Sequence, residues 1–328
     1  MTTTRRLLLA ATALLALAAC RSAPESTPTR DAPVAATEAA GDPSAGTAAG
    51  APAPTAHVVE VIAEDYAFEA PDEILSGWTT FRLDNQGEET HFLYLTRLPD
   101  GHTYDDYVGE VQAPLNEMWY ELRSGAIGKA EMFERLGPII PGWFWTGAVP
   151  VGGPGLIEPG GVSQATVWLE PGNYVLECFM KTPEGEFHWA EGMVRPIRVL
   201  AEASDAPEPT ADIELTLTLD GIEGAGTLTP GTHTVALRFA EQPEVGFGND
   251  VHLARLEPGV SPGDLVPWMD SFNVQGLQNP APVTFHGGSH ERPAGELIYF
   301  TVELEPGSWA WISESPDAAP LYRAFTVR

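Results

Sequence analysis

A thiol, an imidazole and a thioether follow one another in the segment NYVLECFMKTPEGEFHWAEGMVR, from Asn173 to Arg195. They are Cys178, His188 and Met193, spaced C-x9-H-x4-M. A second imidazole is available from His91 in NQGEETHFL. One thiolate, two imidazoles and one weak axial thioether make up the donor set of copper sites that exchange single electrons. Each residue taken alone has a plainer reading. A lone inward cysteine is usually a small hydrophobe, a methionine beside a strand is usually core, and a loop histidine is usually a satisfied polar residue. It is the four together, in this order, that point to a metal.

The elements that must position these donors read as short strands. GWTTFRLDNQG places Phe81 and Leu83 on one face and Thr80 and Arg82 on the other, the period-2 pattern of a half-buried strand. HVVEVIAEDYAFEAP opens with β-branched residues, HFLYLTRL is a further strand, and ATVWLEPGNYVLECF supplies two around the turn Glu170-Pro171-Gly172. Alternation through the last strand sends Tyr174, Leu176 and Cys178 to one face, so Cys178 points inward with Leu176. Strands at this spacing predict an antiparallel β-sandwich. Between Tyr104 and Leu136 the period changes: YDDYVGEVQ and KAEMFERLG are helical, with Met132, Phe133 and Leu136 on one stripe, a short helical insertion on the sandwich. PGWFWTGAVPVGGPG then returns as an aromatic, glycine-rich crossing near the ligand end. Phe187 and Trp189 flank His188 and read either as an exposed docking patch or as core.

Residues 57–200 resemble a cupredoxin domain. The resemblance rests on Asn85 ahead of His91, the Glu-Pro-Gly turn feeding a strand that ends in Cys178, the H-x4-M pair His188 and Met193, and the apolar closing strand VRPIRVL. It implies one type 1 (blue) copper held by His91, Cys178, His188 and Met193, with the methionine axial. It also implies an electron-transfer role. Two features depart from the pattern. The Cys-to-His loop is longer than in plastocyanin-like members and nearer to that of copper nitrite reductases, and the helical insertion is extra.

After a Pro- and Glu-containing linker, 201–211, the first half repeats. GTHTVAL (231–237) mirrors GWTTFRL (77–83), LEPGSWAWIS (304–313) mirrors LEPGNYVLEC (169–178), and LYRAFTV mirrors MVRPIRV. HLARLEPG echoes FLYLTRLPDG, and PAPVTFHGG echoes PGWFWTGAV. The expected fold is all-β: two antiparallel Greek-key, cupredoxin-like sandwiches over 57–200 and 212–328. Register places Asn249 opposite His91, Ser313 opposite Cys178, Pro316 opposite His188 and Leu321 opposite Met193, while His252 falls opposite Tyr94. The second copy is therefore degenerate and expected to hold no metal. His286 and His290 read as a chance surface pair in a Gly-Gly-Ser loop.

The N-terminus carries a leader. Arg5 and Arg6 precede an apolar run, Leu7 to Ala19, too short for a comfortable membrane span. Leu17-Ala18-Ala19-Cys20 resembles a bacterial lipobox, which implies a lipoprotein signal peptide over 1–20 and lipidation of Cys20. Residues 21–56, rich in Ala, Pro, Thr, Ser and Gly, read as a disordered tether. A lipidated Cys20 leaves Cys178 without an intramolecular disulfide partner, so the lone thiol is buried and inert, paired between chains, or a metal ligand. The net charge of −29 argues against nucleic acid. With Lys129 and Lys181 the only lysines, the surface is a solvated acidic one, whether suited to a salty habitat or to a basic partner.

The expectation that follows is a lipid-anchored copper protein of the cell envelope, on the periplasmic or extracellular side of a bacterial membrane, passing single electrons to a redox protein partner. Two other readings fit the same residues: copper storage or delivery, and a metal-free envelope-binding module with cupredoxin-like shape. With no second copper site of the multicopper kind, no G-x-S-x-G and no H-E-x-x-H, the chain is expected not to be an enzyme.

Overall fold

The structure is a computed structural model that describes residues 55–226, 228–244, 247–314 and 321–328. The leader, Cys20, nearly all of the tether and Pro316 lie outside these residues. The described residues, from Thr55 onward, belong to one compact unit.

The first half opens with β1 (Val58–Glu64), β2 (Ala67–Glu69), β3 (Glu73–Asn85) and β4 (Tyr94–Arg97). A helical segment follows: α1 (Tyr104–Tyr107), a π-helical turn at Val108–Gln112, α2 (Ala113–Arg123), α3 (Lys129–Ile139) and α4 (Gly142–Gly147). β5 (Val149–Gly152), β6 (Val162–Leu169), β7 (Gly172–Glu177), the single turn α5 (His188–Glu191) and β8 (Val194–Ala203) complete it. The second half holds β9 (Ile213–Leu217), β10 (Ile222–Gly226), β11 (Gly231–Phe239), β12 (Val251–Leu256), α6 (Pro262–Leu265), β13 (Phe285–Ser289), β14 (Leu297–Leu304), β15 (Gly307–Ile312) and β16 (Tyr322–Val327).

The fold is mostly β, as the strand patterning predicts, with the described strands in two sheets. The larger sheet runs β10-β9-β11-β14-β6-β3-β8-β7-β4-β5, with β1 and β2 beside β3, and the smaller runs β13-β12-β15-β16. The halves share much of their pairing, although β8 pairs with β3 whereas β16, among the described strands, pairs only with β15. β1 pairs parallel to β3 and β9 parallel to β11. Gly77 pairs with Leu169, and Gly231 with Leu304. Tyr94 pairs with Glu177, and His252 with Ile312. The Cys178 N–H donates to the Met193 carbonyl at 3.1 Å, and the Ser313 N–H to the Leu321 carbonyl at 2.9 Å. These pairings reproduce the register read from the sequence.

One echo falls differently. The stretch 141–149 is largely the helix α4, and the true counterpart of β13 is β5. Gly152-Gly153 and Gly287-Gly288 both have positive φ. A Cβ on Gly153 would lie 2.2 Å from the Leu93 carbonyl oxygen, and one on Gly288 2.2 Å from that of Val251, so both strands need the glycine to pass a neighbouring backbone.

The halves are joined edge to edge, Phe300 of β14 pairing with Ala165 of β6. Lys181 adds a second tie. Its buried Nζ donates to the Asn273 carbonyl at 2.8 Å and to that of Gly276, and lies 4.3 Å from the Trp119 ring. Burial brings its pKa down to about 7.

β7 departs from simple alternation. Tyr174 to Glu177 are all buried, because the helical segment covers the face that would otherwise meet solvent. Tyr174, Leu176 and Cys178 join the sandwich core with Phe81 and Leu83. Val175 joins a separate apolar cluster with Trp119, Met132 and Leu136. The helical segment is more extensive than the two stretches read from the sequence. α1 starts at a reciprocal cap, Thr103 accepting from the Asp106 N–H and the Asp106 carboxylate accepting from the Thr103 N–H. α2 carries Trp119, fully buried, with its Nε1–H on the Gly185 carbonyl at 2.9 Å. Among the described residues no helix is long and apolar enough to cross a membrane.

Candidate metal centre

β3 ends at Asn85, whose side chain shapes the turn that delivers His91. Its Nδ2 donates to the carbonyls of Glu89 at 2.8 Å and Ile157 at 3.1 Å, and its Oδ1 accepts the Gly87 N–H at 3.1 Å. A Cβ at Gly87 would lie 2.3 Å from Asp65 Oδ1 and 2.9 Å from His91 Nε2, so this turn closes over the imidazole only with glycine. His91 itself is locked by a two-way backbone bridge to Ile157, at 3.1 and 2.9 Å.

Cys178 follows the last residue of β7. Its carbonyl accepts the Trp189 N–H at 3.0 Å, the His188 N–H donates to the Met180 carbonyl at 2.8 Å, and the Met193 N–H donates to the His188 carbonyl at 2.9 Å. The loop between thiol and imidazole is thus closed by its own backbone. This is why a nine-residue spacing returns His188 to Cys178.

The three donors converge. His91 Nδ1 and His188 Nδ1 are 3.1 Å apart, and Cys178 Sγ lies 3.6 Å from His188 Nδ1 and 4.0 Å from His91 Nδ1. All three side chains are fully buried. Each edge of this triangle is shorter than twice a metal–ligand bond of about 2.0–2.3 Å, so one ion can reach all three atoms. Met193 is also fully buried in the sandwich core, with its backbone bonded to both Cys178 and His188.

Carboxylates hold the far side of both imidazoles. His91 Nε2 is 2.6 Å from Asp65 Oδ1, and His188 Nε2 is 2.9 Å from Glu89 Oε2. A carboxylate on Nε2 keeps the hydrogen there and turns a bare Nδ1 lone pair toward the thiol, the arrangement that prepares a histidine to bind metal. Asp65 is fixed by the Glu88 N–H at 2.7 Å, and Glu89 by the Tyr66 hydroxyl at 3.0 Å and Asn279 Nδ2 at 3.0 Å. The Tyr66 ring packs on His188 at 4.8 Å. Asn279 comes from the second half, and its Oδ1 also accepts the Thr90 N–H at 3.0 Å.

The electrostatics favour a cation. Burial, and then the neighbouring His188, lower the His91 pKa to about 4, so the ring is neutral at pH 7. Burial pushes the Cys178 thiol well above its ordinary range, opposed by backbone N–H groups of Phe92 and Met180 that favour the thiolate. Two imidazole lone pairs and a sulfur face one point, and a single cation would satisfy all three. The donor chemistry, soft sulfur with two imidazoles, fits copper.

Phe187 and Trp189 are core, not an exposed patch. They are 3% and 7% exposed, stack on each other at 5.2 Å, and Phe187 meets Trp119 at 4.8 Å.

The second half also differs from its sequence reading. Asp250, His252, His290 and Glu314 offer ligand atoms that all lie within 4.8 Å of one another, and all four residues are buried. His290 is fully buried rather than part of a surface pair, and His286 stands outside the group. One signal for it was present in the sequence: Asp250, just ahead of β12, and His252 within it are two apart in extended chain and share a face.

No family model and no curated protein matches the chain. Solved structures similar to it include a dithionite-reduced auracyanin from the photosynthetic bacterium Roseiflexus castenholzii, at 18% identity over 45% of this chain and 99% of that one, with a TM-score of 0.25. A multicopper oxidase is 12% identical over 84% of this chain and 90% of its own, with a TM-score of 0.24. A blue copper oxidase from Nitrosomonas europaea is 13% identical over 84% and 86%, with a TM-score of 0.22.

The expectation that the chain is not an enzyme is corrected: its premise, that only the first half holds a metal-competent group, is removed by the group around Asp250.

Proposed function

We propose that His91, Cys178 and His188, with Met193 as a fourth ligand, hold one copper ion, and that the protein uses it to relay single electrons in the cell envelope. The observation that carries this reading is the pair of carboxylates on Nε2 of both imidazoles, which turn two bare Nδ1 atoms toward one buried thiol. When bound, copper supplies a one-electron couple. The protein's own work is to hold both rings in one tautomer, to keep water from the sulfur, and to favour the thiolate through the Phe92 and Met180 N–H groups. A proton must leave Cys178 as metal enters, so loading is favoured by rising pH.

Partner and location belong to the same proposal. Asp65 is exposed and Tyr66 and Glu89 are part-exposed, so the imidazole partners reach the surface at an acidic rim. On a chain of net charge −29 this rim suits a redox protein with a basic docking face, and association should weaken with salt. Lipidation of Cys20 would tether the protein to a bacterial membrane, with 21–56 as spacer.

The test is the visible spectrum of the protein with stoichiometric Cu(II), alongside Cys178→Ser. An intense band lost in the variant establishes copper–thiolate bonding. A colourless protein that gives up its copper on desalting rejects the reading and leaves a metal-free binding module.

A further inference from the structure

A second group of buried donors lies on the opposite side of two phenylalanines from Cys178. Phe92 and Phe179, the residues following His91 and Cys178, place their rings 4.2 and 5.6 Å from the ring of His290. Beyond them sit Asp250, His252, His290 and Glu314, with no thiol among them.

Their bonding is incomplete in a particular way. Asp250 Oδ1 accepts the Glu314 N–H at 2.7 Å, and Asp250 Oδ2 faces His252 Nε2 at 2.9 Å. Among the described residues, neither ring nitrogen of His290 has a hydrogen-bond partner, and neither does Glu314 Oε1, although all are buried. His290 Nδ1 is 3.6 Å from Asp250 Oδ2, too far to bond yet close enough for both to reach one ion, and Glu314 Oε1 lies 3.5 Å from His252 Nε2. Orphaned polar atoms at full burial are costly, and a bare imidazole and a bare carboxylate oxygen within reach of one ion mark a missing ligand.

His252 plays a different part from His290. Its Nδ1 accepts the Leu156 N–H at 3.2 Å, which leaves the ring hydrogen on Nε2, donated to Asp250. With Nδ1 already taken by a donor, the geometry supports the ring with its hydrogen on Nε2. A nitrogen carrying hydrogen does not ligate.

We propose that Asp250, His290 and Glu314 form a second metal site for one divalent first-row transition ion, with His252 orienting Asp250. Two carboxylates and a neutral imidazole cancel a charge of 2+, and the ion would occupy Glu314 Oε1 and one nitrogen of His290. One nitrogen and two oxygens, without sulfur, select manganese, iron or zinc over the soft ion that suits Cys178. Asp250 and Glu314 also line a cavity of about 340 Å³, with Tyr94, Tyr107, Glu177 and Glu291 on its other walls. An ion held by these carboxylates is thus reachable by a small molecule, as in metal sites with three protein ligands.

The test is equilibrium dialysis of chelator-stripped full-length protein against Mn(II) in high salt, with bound metal read by electron paramagnetic resonance and elemental analysis. High salt suppresses loose binding to the acidic surface. One saturable Mn(II) per chain is expected. Cys178→Ser should leave it unchanged, which separates this site from the first. Glu314→Gln and His290→Ala should each weaken it at least about tenfold, and His252→Gln by about 10–100-fold, as for an orienting partner. Absence of saturable Mn(II) or Zn(II) uptake by the wild-type protein overturns the proposal, and so does uptake that survives both ligand variants. The wild-type titration decides even if a variant fails to fold.

Discussion

The ends of β7 and β15 are equivalent in the fold and opposite in chemistry. At the first, Cys178 faces the sandwich core together with His91, and the residues one step along, Phe92 and Phe179, are aromatic. At the second, Ser313 and Asn249 occupy the positions of Cys178 and His91, and the residues one step along are Asp250 and Glu314. Neighbouring residues in an extended chain point to opposite faces. The second half has thus lost donors from the core face and gained them on the other, where His252 stands opposite Tyr94. Ser313 has become a backbone prop, its Oγ accepting the Asp250 N–H at 3.1 Å and donating to the Glu314 carbonyl at 2.9 Å. One strand framework offers two donor sets, soft on one face and hard on the other, according to which face carries polar residues.

The largest effect is expected from the thiol itself. Cys178→Ser should abolish the copper–thiolate absorption band completely, while Ser313→Cys should create none, because Asn249 supplies no imidazole. A band in Ser313→Cys protein lacking Cys178 would break the comparison.

Acid should cost the metal-free protein stability through His91. The His91 pKa drops from an ordinary 6.5 in the unfolded chain to about 4 in the folded one. Below pH 6.5 the unfolded chain therefore takes up a proton that the folded chain refuses. Stability of the metal-free protein should fall between pH 6.5 and 4, by at most about 3 kcal/mol, and be flat for this group above pH 6.5. Urea midpoints of wild type against His91→Gln measure it, since the variant should lose that slope.

Next come the outer carboxylates. Asp65→Asn and Glu89→Gln should each lower copper affinity about 10–100-fold with the absorption band retained, read by competition with a chelator. Unchanged affinity would mean that the ring orientations are set by packing alone. The smallest effect tests whether one half supports the centre of the other. Asn279→Ala strands the buried Thr90 N–H and should cost about 1–2 kcal/mol in denaturant titrations, with a modest loss of copper affinity.

Much of the first centre was legible beforehand because its information is local. Strand alternation placed Cys178 inward, and the repeat register located Asn249, Ser313 and Leu321 where the pairings put them. Three of the four proposed ligands meet as their order implied. The fate of Phe187 and Trp189 was not legible, because an aromatic residue in a loop reads alike whether covered or bare, and only the docking of α2 and α3 covers these two. His290 was misread for a related reason: a Gly-Gly-Ser loop looks exposed until Phe92, Tyr94 and Phe179 are seen packed on its ring.

The sequence by itself therefore determined the strands, their internal repeat and the thiol–imidazole spacing, all of which follow from periodicities a few residues long. Only the tertiary structure decided that Asp65 and Glu89 hold the two imidazoles, that Asn279 reaches across to brace them, and that Asp250, His290 and Glu314 meet. Those contacts join residues far apart in the chain. They depend on how sheets pair and pack, which no local spacing encodes.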